Sequence, residues 1–273
     1  MEEIKEIIQL DFEHDNKLFI DPYKINNSQE ECILRGKEKI IKYFEIFFDA
    51  VENNDKRKVI EIGRHLHEIN ATKLGYTDKN KKPKGKGFSL KDLITIYEEA
   101  IKIKDYIDDM PDILVLANNV GPDKVSDLTT NIMYTEILEY TQNIISKYSI
   151  EVSFEERKKW IFDIEAEKWL EKNILVPCID DEEILFLPKD IVSNYEIFSY
   201  QNMYWQLIYP FYKIHTSMHG LIRILKSGEK KPDCKKIKTK YPLNRITVKD
   251  FVVNNRSEYK RYKEALINNY WKK

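Results

Sequence analysis

The chain has 273 residues, 42% of them hydrophobic and 33% charged, with 45 Lys+Arg set against 46 Asp+Glu. That length and composition supply a core of globular size, exclude a disordered chain, and leave no global field to recruit nucleic acid or an anionic membrane. The three cysteines, Cys32, Cys178 and Cys234, are too scattered for a disulfide framework or a CxxC zinc site, which fits a reducing cytoplasm.

The opening run MEEIKEIIQLDFEHDNK alternates acids with apolar residues and lacks a basic leader region. No apolar run approaches the ~18 residues of a membrane span. The expectation is a cytoplasmic chain that is neither secreted nor membrane-embedded.

KLFIDPYKI predicts a short buried strand, Leu18 to Ile20, with Asp21 at its exit and Pro22 blocking the next ladder donor. A helix follows, capped by Ser28, with Ile33, Ile40, Phe44, Phe47, Phe48 and Val51 on one face. DKRKVIEIGRHLHEI predicts a second helix. Residues 72 to 89 carry three glycines, a proline and six lysines and predict a loop. Ser89 then caps SLKDLITIYEEAIKIKDYI, and Gly121-Pro122 ends the apolar segment MPDILVLANN.

From Asp123 the apolar positions Val125, Leu128, Ile132, Leu138, Ile144, Ile145 and Tyr148 recur near 3.6 residues, predicting one helix of about six turns. KKWIFDIEAEKW, ILVPCI and EILFLPKDI contain β-like runs that suit a small antiparallel sheet. The last third reads as helical on either side of a basic connector. Between Arg223 and Arg245 nine Lys/Arg face two acids, Glu229 and Asp233. The expectation is an α+β protein, mainly helical with a small mixed or antiparallel sheet, forming a single domain over residues 1–273 with a helical C-terminal subdomain from about 199.

The helix opening at Asp123 concentrates polar groups. Asp123, Asp127 and Asn131 follow at i, i+4 and i+8, along one face, with Thr130 beside them. Capping and the helix dipole account for one or two such residues. Asn131, two turns in, requires another reason, because Asn is a poor interior helix residue. Two carboxylates and an amide form an oxygen set suited to Mg²⁺, and that chemistry points to phosphodiester hydrolysis. Asp21 is a candidate third acid, although Asp-Pro is also an ordinary turn starter. Lys84, Gly85, Lys86 and Gly87 are candidate phosphate binders, without the spacing of a Walker loop. Lys189, after the run EILFLP, is a candidate for stabilising phosphate charge, but a PD-(D/E)xK nuclease would place an acid where Leu187 stands.

His215 and His219 are spaced to present two imidazoles from a helix, with no HExxH glutamate between them. A packed or exposed pair is the plainer reading. The basic connector is read either as a phosphate grip or as a solvated lysine-rich surface.

The blocks LFIDP, LGYT with GKGFS, VGPDKVSDLTTNI with EYTQ, ILFLPKDIV, and LIRILKSGEKK with KTKYP occur in that order from Leu18 to Pro242. In these the chain resembles a family of bacterial proteins of similar length associated with anti-phage defence and mobile-element neighbourhoods. The resemblance implies a role in defence, and by analogy raises the expectation of nuclease chemistry. Two functions are therefore expected: a metal-dependent nuclease or phosphodiesterase effector using Mg²⁺, Asp21, Asp123, Asp127, Asn131 and Lys189, or a non-catalytic sensor or assembly subunit. Either would have a protein partner from the same operon, with nucleic acid as a further candidate partner.

Overall fold

A computed structural model of the chain describes residues 4–12, 15–22, 24–75, 88–102, 112, 116, 121–194, 199–217 and 219–271. The fold is α+β, with helices set against small antiparallel sheets. The chain divides into two compact units, one made of Met1–Lys102 and Asn119–Glu196, the other of Ile103–Asn118 and Ile197–Lys273. The second thus takes in an internal segment in addition to the C-terminal part expected from about 199. Among the described residues no helix is long and apolar enough to cross a membrane.

The first unit is organised on α1 (Glu31–Glu52). Ser28 does not cap it: the helix starts after Glu30, and Ser28 Oγ accepts the Glu30 N–H at 3.3 Å. Ile33, Tyr43 and Phe47 are fully buried along its apolar stripe. Each contributes roughly 1.5–3 kcal/mol by leaving water. The short helix α2 (Lys56–Gly63) is capped by Asp55, which accepts from the Arg57 and Lys58 amides, both at 3.0 Å. The Ile62 carbonyl near its end accepts from Tyr43 Oη at 3.1 Å and Trp169 Nε1 at 2.6 Å, satisfying a terminal carbonyl that the helix leaves open. Ser89 opens α3 (Leu90–Ala100) as expected, with the Asp92 carboxylate accepting from both its N–H at 3.0 Å and its hydroxyl at 2.6 Å.

The helix expected to run unbroken from Asp123 is two helices, α4 (Pro122–Ile132) and α5 (Tyr134–Tyr148), parted at Met133 (φ −91°, ψ 14°). The fully buried Met133 packs against Gly36 of α1, whose bare Cα leaves room for its side chain.

Strands β1 (Phe19–Ile20), β2 (Ser153–Asp163), β3 (Lys168–Ile179), β4 (Glu182–Glu183) and β5 (Val192–Ser193) complete the unit. β2 and β3 form a long antiparallel hairpin, registered from Ser153 opposite Cys178 to Asp163 opposite Lys168, with β4 beside β3; β1 pairs separately with β5. The expected strand in EILFLPKDI is not a ladder. Its buried residues Ile184 to Leu187 are tied one by one: Leu185 N–H to Ala71 O, Phe186 N–H to Thr141 Oγ1, and Leu187 O to the Ile8 N–H, each at 2.8–2.9 Å.

In the second unit, α6 (Tyr200–Met203) runs through a π-helical turn at Tyr204–Ile208 into α7 (Tyr209–Ile214). A hairpin of β6 (Ile222–Ile224) and β7 (Lys230–Pro232) follows, then α8 (Cys234–Lys240), α9 (Arg245–Asn254) and α10 (Arg256–Trp271). Its core joins Tyr204, Ile208, Ile237, Val248 and Phe251, with Tyr212 stacked on Tyr241 at 3.5 Å. A buried charge is matched within it. Asp112, fully enclosed, accepts from Lys263 Nζ at 3.1 and 3.2 Å and from the Tyr259 hydroxyl.

Candidate functional site

The polar opening of α4 is used to gather chain segments. Ser126 Oγ accepts the Ile20 N–H of β1 at 3.0 Å. One residue on, Asp127 Oδ2 accepts the Phe88 N–H at 3.1 Å. Asn131 reaches the segment after α2, where Oδ1 accepts the His67 N–H at 3.4 Å and Nδ2 donates to the His67 carbonyl at 2.5 Å and to the Asp127 carbonyl at 2.8 Å. Thr130 turns back on its own helix, donating to the Ser126 carbonyl at 2.8 Å. Ser126, Thr129, Thr130 and Asn131 are all buried. The unusual Asn131 therefore has a structural occupation, holding irregular backbone as a strand partner would.

Asp123 and Asp127 stand apart from that clamp in their charge. Asp123 has an exposed side chain, yet the protein packed around it and then the neighbouring Asp15 carboxylate raise its pKa. Asp127 is pushed up to about 7, first by burial and then by Asp123 and Glu68, against the opposing Phe88 N–H and Lys124. Lys124 itself is committed at 2.6 Å to Asp92. Gly75 lies beside both acids, where a Cβ would make ordinary contacts of 3.5 Å with Asp15 Oδ2 and 3.6 Å with Asp123 Oδ1; it is the backbone φ of +134° that calls for glycine. A single parallel bridge, Asn16 to Leu74, brings the two strands of chain together there.

The acid acting on Asp123 is thus Asp15. Asp21 is buried at the exit of β1, its N–H on the Ile191 carbonyl at 2.9 Å. Lys189 is exposed on a single 3₁₀ turn, with its N–H on the Glu6 carbonyl at 3.0 Å. Lys84, Gly85, Lys86 and Gly87 lie outside the described residues. Among the described residues no three His, Cys, Asp or Glu side chains gather at metal-holding spacing. Asp123 and Asp127 form a two-carboxylate set, which Mg²⁺ uses together with water and substrate phosphate.

The second unit carries a different surface. In β6–β7, Arg223 lies directly opposite Lys231, both exposed. Like charges facing across a hairpin repel, and an anion on that face relieves the cost. Beside the hairpin is a cleft of about 510 Å³ lined by His219, Asp233, Lys235, Lys236, Thr239 and Lys240. Of the two acids in the connector, Asp233 serves as the cap of α8, accepting the Lys236 N–H at 3.0 Å, and Glu229 lies 3.3 Å from Lys231. Aromatic surface adjoins the cations: Lys238 Nζ stands 5.3 Å over the half-exposed Trp205 ring and 5.8 Å over Tyr209.

His215 and His219 do not share a helix, because α7 ends at Ile214 and the chain turns. His215 packs on Phe211, and His219 Nδ1 lies 3.4 Å from the Tyr241 hydroxyl. Sequence reasoning misses Asp15, Glu68 and Gly75, which belong to no periodic element, and points to a nearby acid only at Asp21.

The sequence profile of a family described as "Domain of unknown function (DUF8370)" matches residues 2–199, well over half of the chain, and the protein belongs to that family. No curated protein and no solved structure matches it.

Proposed function

We propose that this member of the DUF8370 family is a non-catalytic, nucleic-acid-binding subunit of a bacterial system directed against phage or mobile elements, working in the cytoplasm with a protein partner encoded beside it. The observation that carries the binding reading is the exposed Arg223–Lys231 cross-strand pair beside the lysine-lined cleft, a cationic surface assembled from two elements. Phosphate backbones are bound by such clusters, and adjacent exposed aromatic rings give unpaired bases a stacking surface. The half-exposed ring of Trp205 supports that reading. Support for a subunit reading comes from α4, whose Ser126, Asp127 and Asn131 hold backbone of other segments.

Fluorescence polarisation of the full chain with labelled single-stranded DNA, duplex DNA and RNA tests this. Salt-sensitive binding to at least one is expected. No binding to any at about 50 mM salt, where phosphate contacts are strong, would refute it.

One observation favours a second reading, a metal-dependent phosphodiesterase: Asp123 and Asp127, one turn apart on α4, both have raised pKa values, through burial first and then a neighbouring acid, and a divalent cation would relieve that cost. In that reading Asp123 and Asp127 hold Mg²⁺ and substrate phosphate completes its shell. Cleavage of labelled DNA or RNA that requires Mg²⁺ or Mn²⁺, and is lost in Asp127→Asn, would replace the non-catalytic reading with this one.

A further inference from the structure

β2 is the outer strand of its sheet, in the order β2, β3, β4. Among the described residues no other strand pairs with its far side, and none of the loop or cap backbone hydrogen bonds ends on it. An eleven-residue edge with open N–H and C=O groups is a template for another strand, and proteins that must stay monomeric shorten, bulge, interrupt or charge such edges. This one has no proline and no glycine.

Its sequence carries a symmetry. From Phe154 to Trp160 it reads Phe-Glu-Glu-Arg-Lys-Lys-Trp, aromatic at both ends, acidic in the first half and basic in the second. Pairing two copies of one strand antiparallel about a two-fold axis centres the ladder on one residue. Centred on Arg157, it sets Glu156 opposite Lys158 of the second copy, Glu155 opposite Lys159, and Phe154 opposite Trp160, each contact occurring twice. Centred one residue earlier or later, it sets Glu156 against Glu156 or Lys158 against Lys158. A parallel pairing in register would set every charge against its like.

The exposed face is prepared for this contact. Phe154, Glu156, Lys158 and Trp160 alternate on one side of the strand, and all four are exposed. Lys158 is 71% exposed, with only a 3.7 Å approach to Glu171. On the other side, Arg157 is neutralised within its own chain by Glu155, at 2.6 and 3.0 Å, so its meeting with itself at the axis is shielded. Trp160 is fixed by stacking on His65 at 3.7 Å, which presents a held aromatic ring to Phe154 of the second copy.

We propose that β2 is a homodimerisation strand, pairing antiparallel with β2 of a second copy about Arg157 and joining two hairpins into one continuous sheet. The usual account of edge charges, that they repel strangers, suits a run of one sign. Here the signs are arranged so that the strand fits itself and little else.

Sedimentation of the full chain across concentrations tests it with two exposed substitutions. Wild type is expected as a dimer, while Glu156→Lys and Lys158→Glu each weaken the dimer on the order of tenfold or more, because two opposite-charge contacts become two like-charge ones. Mixing the two variants is expected to restore a dimer, now heteromeric, since both contacts are again complementary. A monomeric wild type at high micromolar concentration overturns the proposal. So does a dimer that neither variant weakens, or a mixture that stays monomeric while both variants keep the wild-type melting profile. Should either variant fail to fold, cross-linking by a short bismaleimide of Arg157→Cys, made with Cys234→Ser, decides: a 157-to-157 cross-link supports the axis, and its absence overturns it.

Discussion

Asn131 grips His67 by both ends of its amide, accepting the His67 N–H at 3.4 Å and donating to the His67 carbonyl at 2.5 Å. A residue whose place in a helix pointed to ligand chemistry thus acts as a strand-like partner for a segment that has no strand. Replacing Asn131 with Ala removes both bonds and leaves partly buried backbone groups to water. The expected loss is about 1–2 kcal/mol of stability. Faster hydrogen exchange at the His67 amide, with nucleic-acid binding unchanged, is the accompanying result. Unaltered exchange there would mean that the clamp does not hold.

Asp127 should imprint its own pH dependence on stability. Its folded-state pKa of about 7 lies above the usual carboxylate value of ~3.9, so between those limits the folded protein keeps a proton that the unfolded chain has released. That contribution is fully present below the unfolded pKa and is lost as pH rises through about 7. Asp127→Asn should flatten this part of the profile and equal or exceed wild type at pH 8, since the amide oxygen can still accept the Phe88 N–H. Denaturant melts of both proteins from pH 4 to 8 read it directly; parallel curves would contradict the assignment. The same pair, melted with Mg²⁺, addresses the phosphodiesterase reading: a metal-dependent rise is expected in wild type and not in the variant if the carboxylates hold the ion.

Lys263 and Asp112 form the buried ion pair of the second unit. Lys263→Met keeps much of the volume but leaves Asp112 enclosed with only part of its compensation. A destabilisation of about 3–5 kcal/mol is expected, because breaking one side of such a pair strands the other charge. Adding Asp112→Asn should recover part of it. Urea unfolding of the single and double variants provides the comparison.

What could be read from the sequence was local or periodic. The Ser89 start of α3 lies within four residues of the acid that completes it, so its signal was contiguous. The basic connector was visible as composition. The break at Met133 was hidden because both helices share one apolar rhythm, and the Gly36 surface on which Met133 packs is far away on another helix. β2 was underread for a related reason: Glu155 to Lys159 are charged on both sides of the strand, so the alternation that marks a half-buried strand is missing. The neighbourhood of Asp123 depends on one bridge between Asn16 and Leu74, and a single bridge leaves no pattern in sequence. The face shared by Asp123, Asp127 and Asn131 was legible, while the partners of each depend on segments distant in the chain.

Nucleic-acid binding by the second unit is the central claim, and the salt dependence of that binding is the measurement to make. Lys230, Lys231, Lys235 and Lys236 replaced together by Gln should weaken binding of the full chain and make the plot of log affinity against log salt shallower, by about 0.7–0.9 for each phosphate that the variant no longer neutralises, with the melting temperature little changed. Binding of unchanged affinity and unchanged salt slope in that variant would contradict the claim.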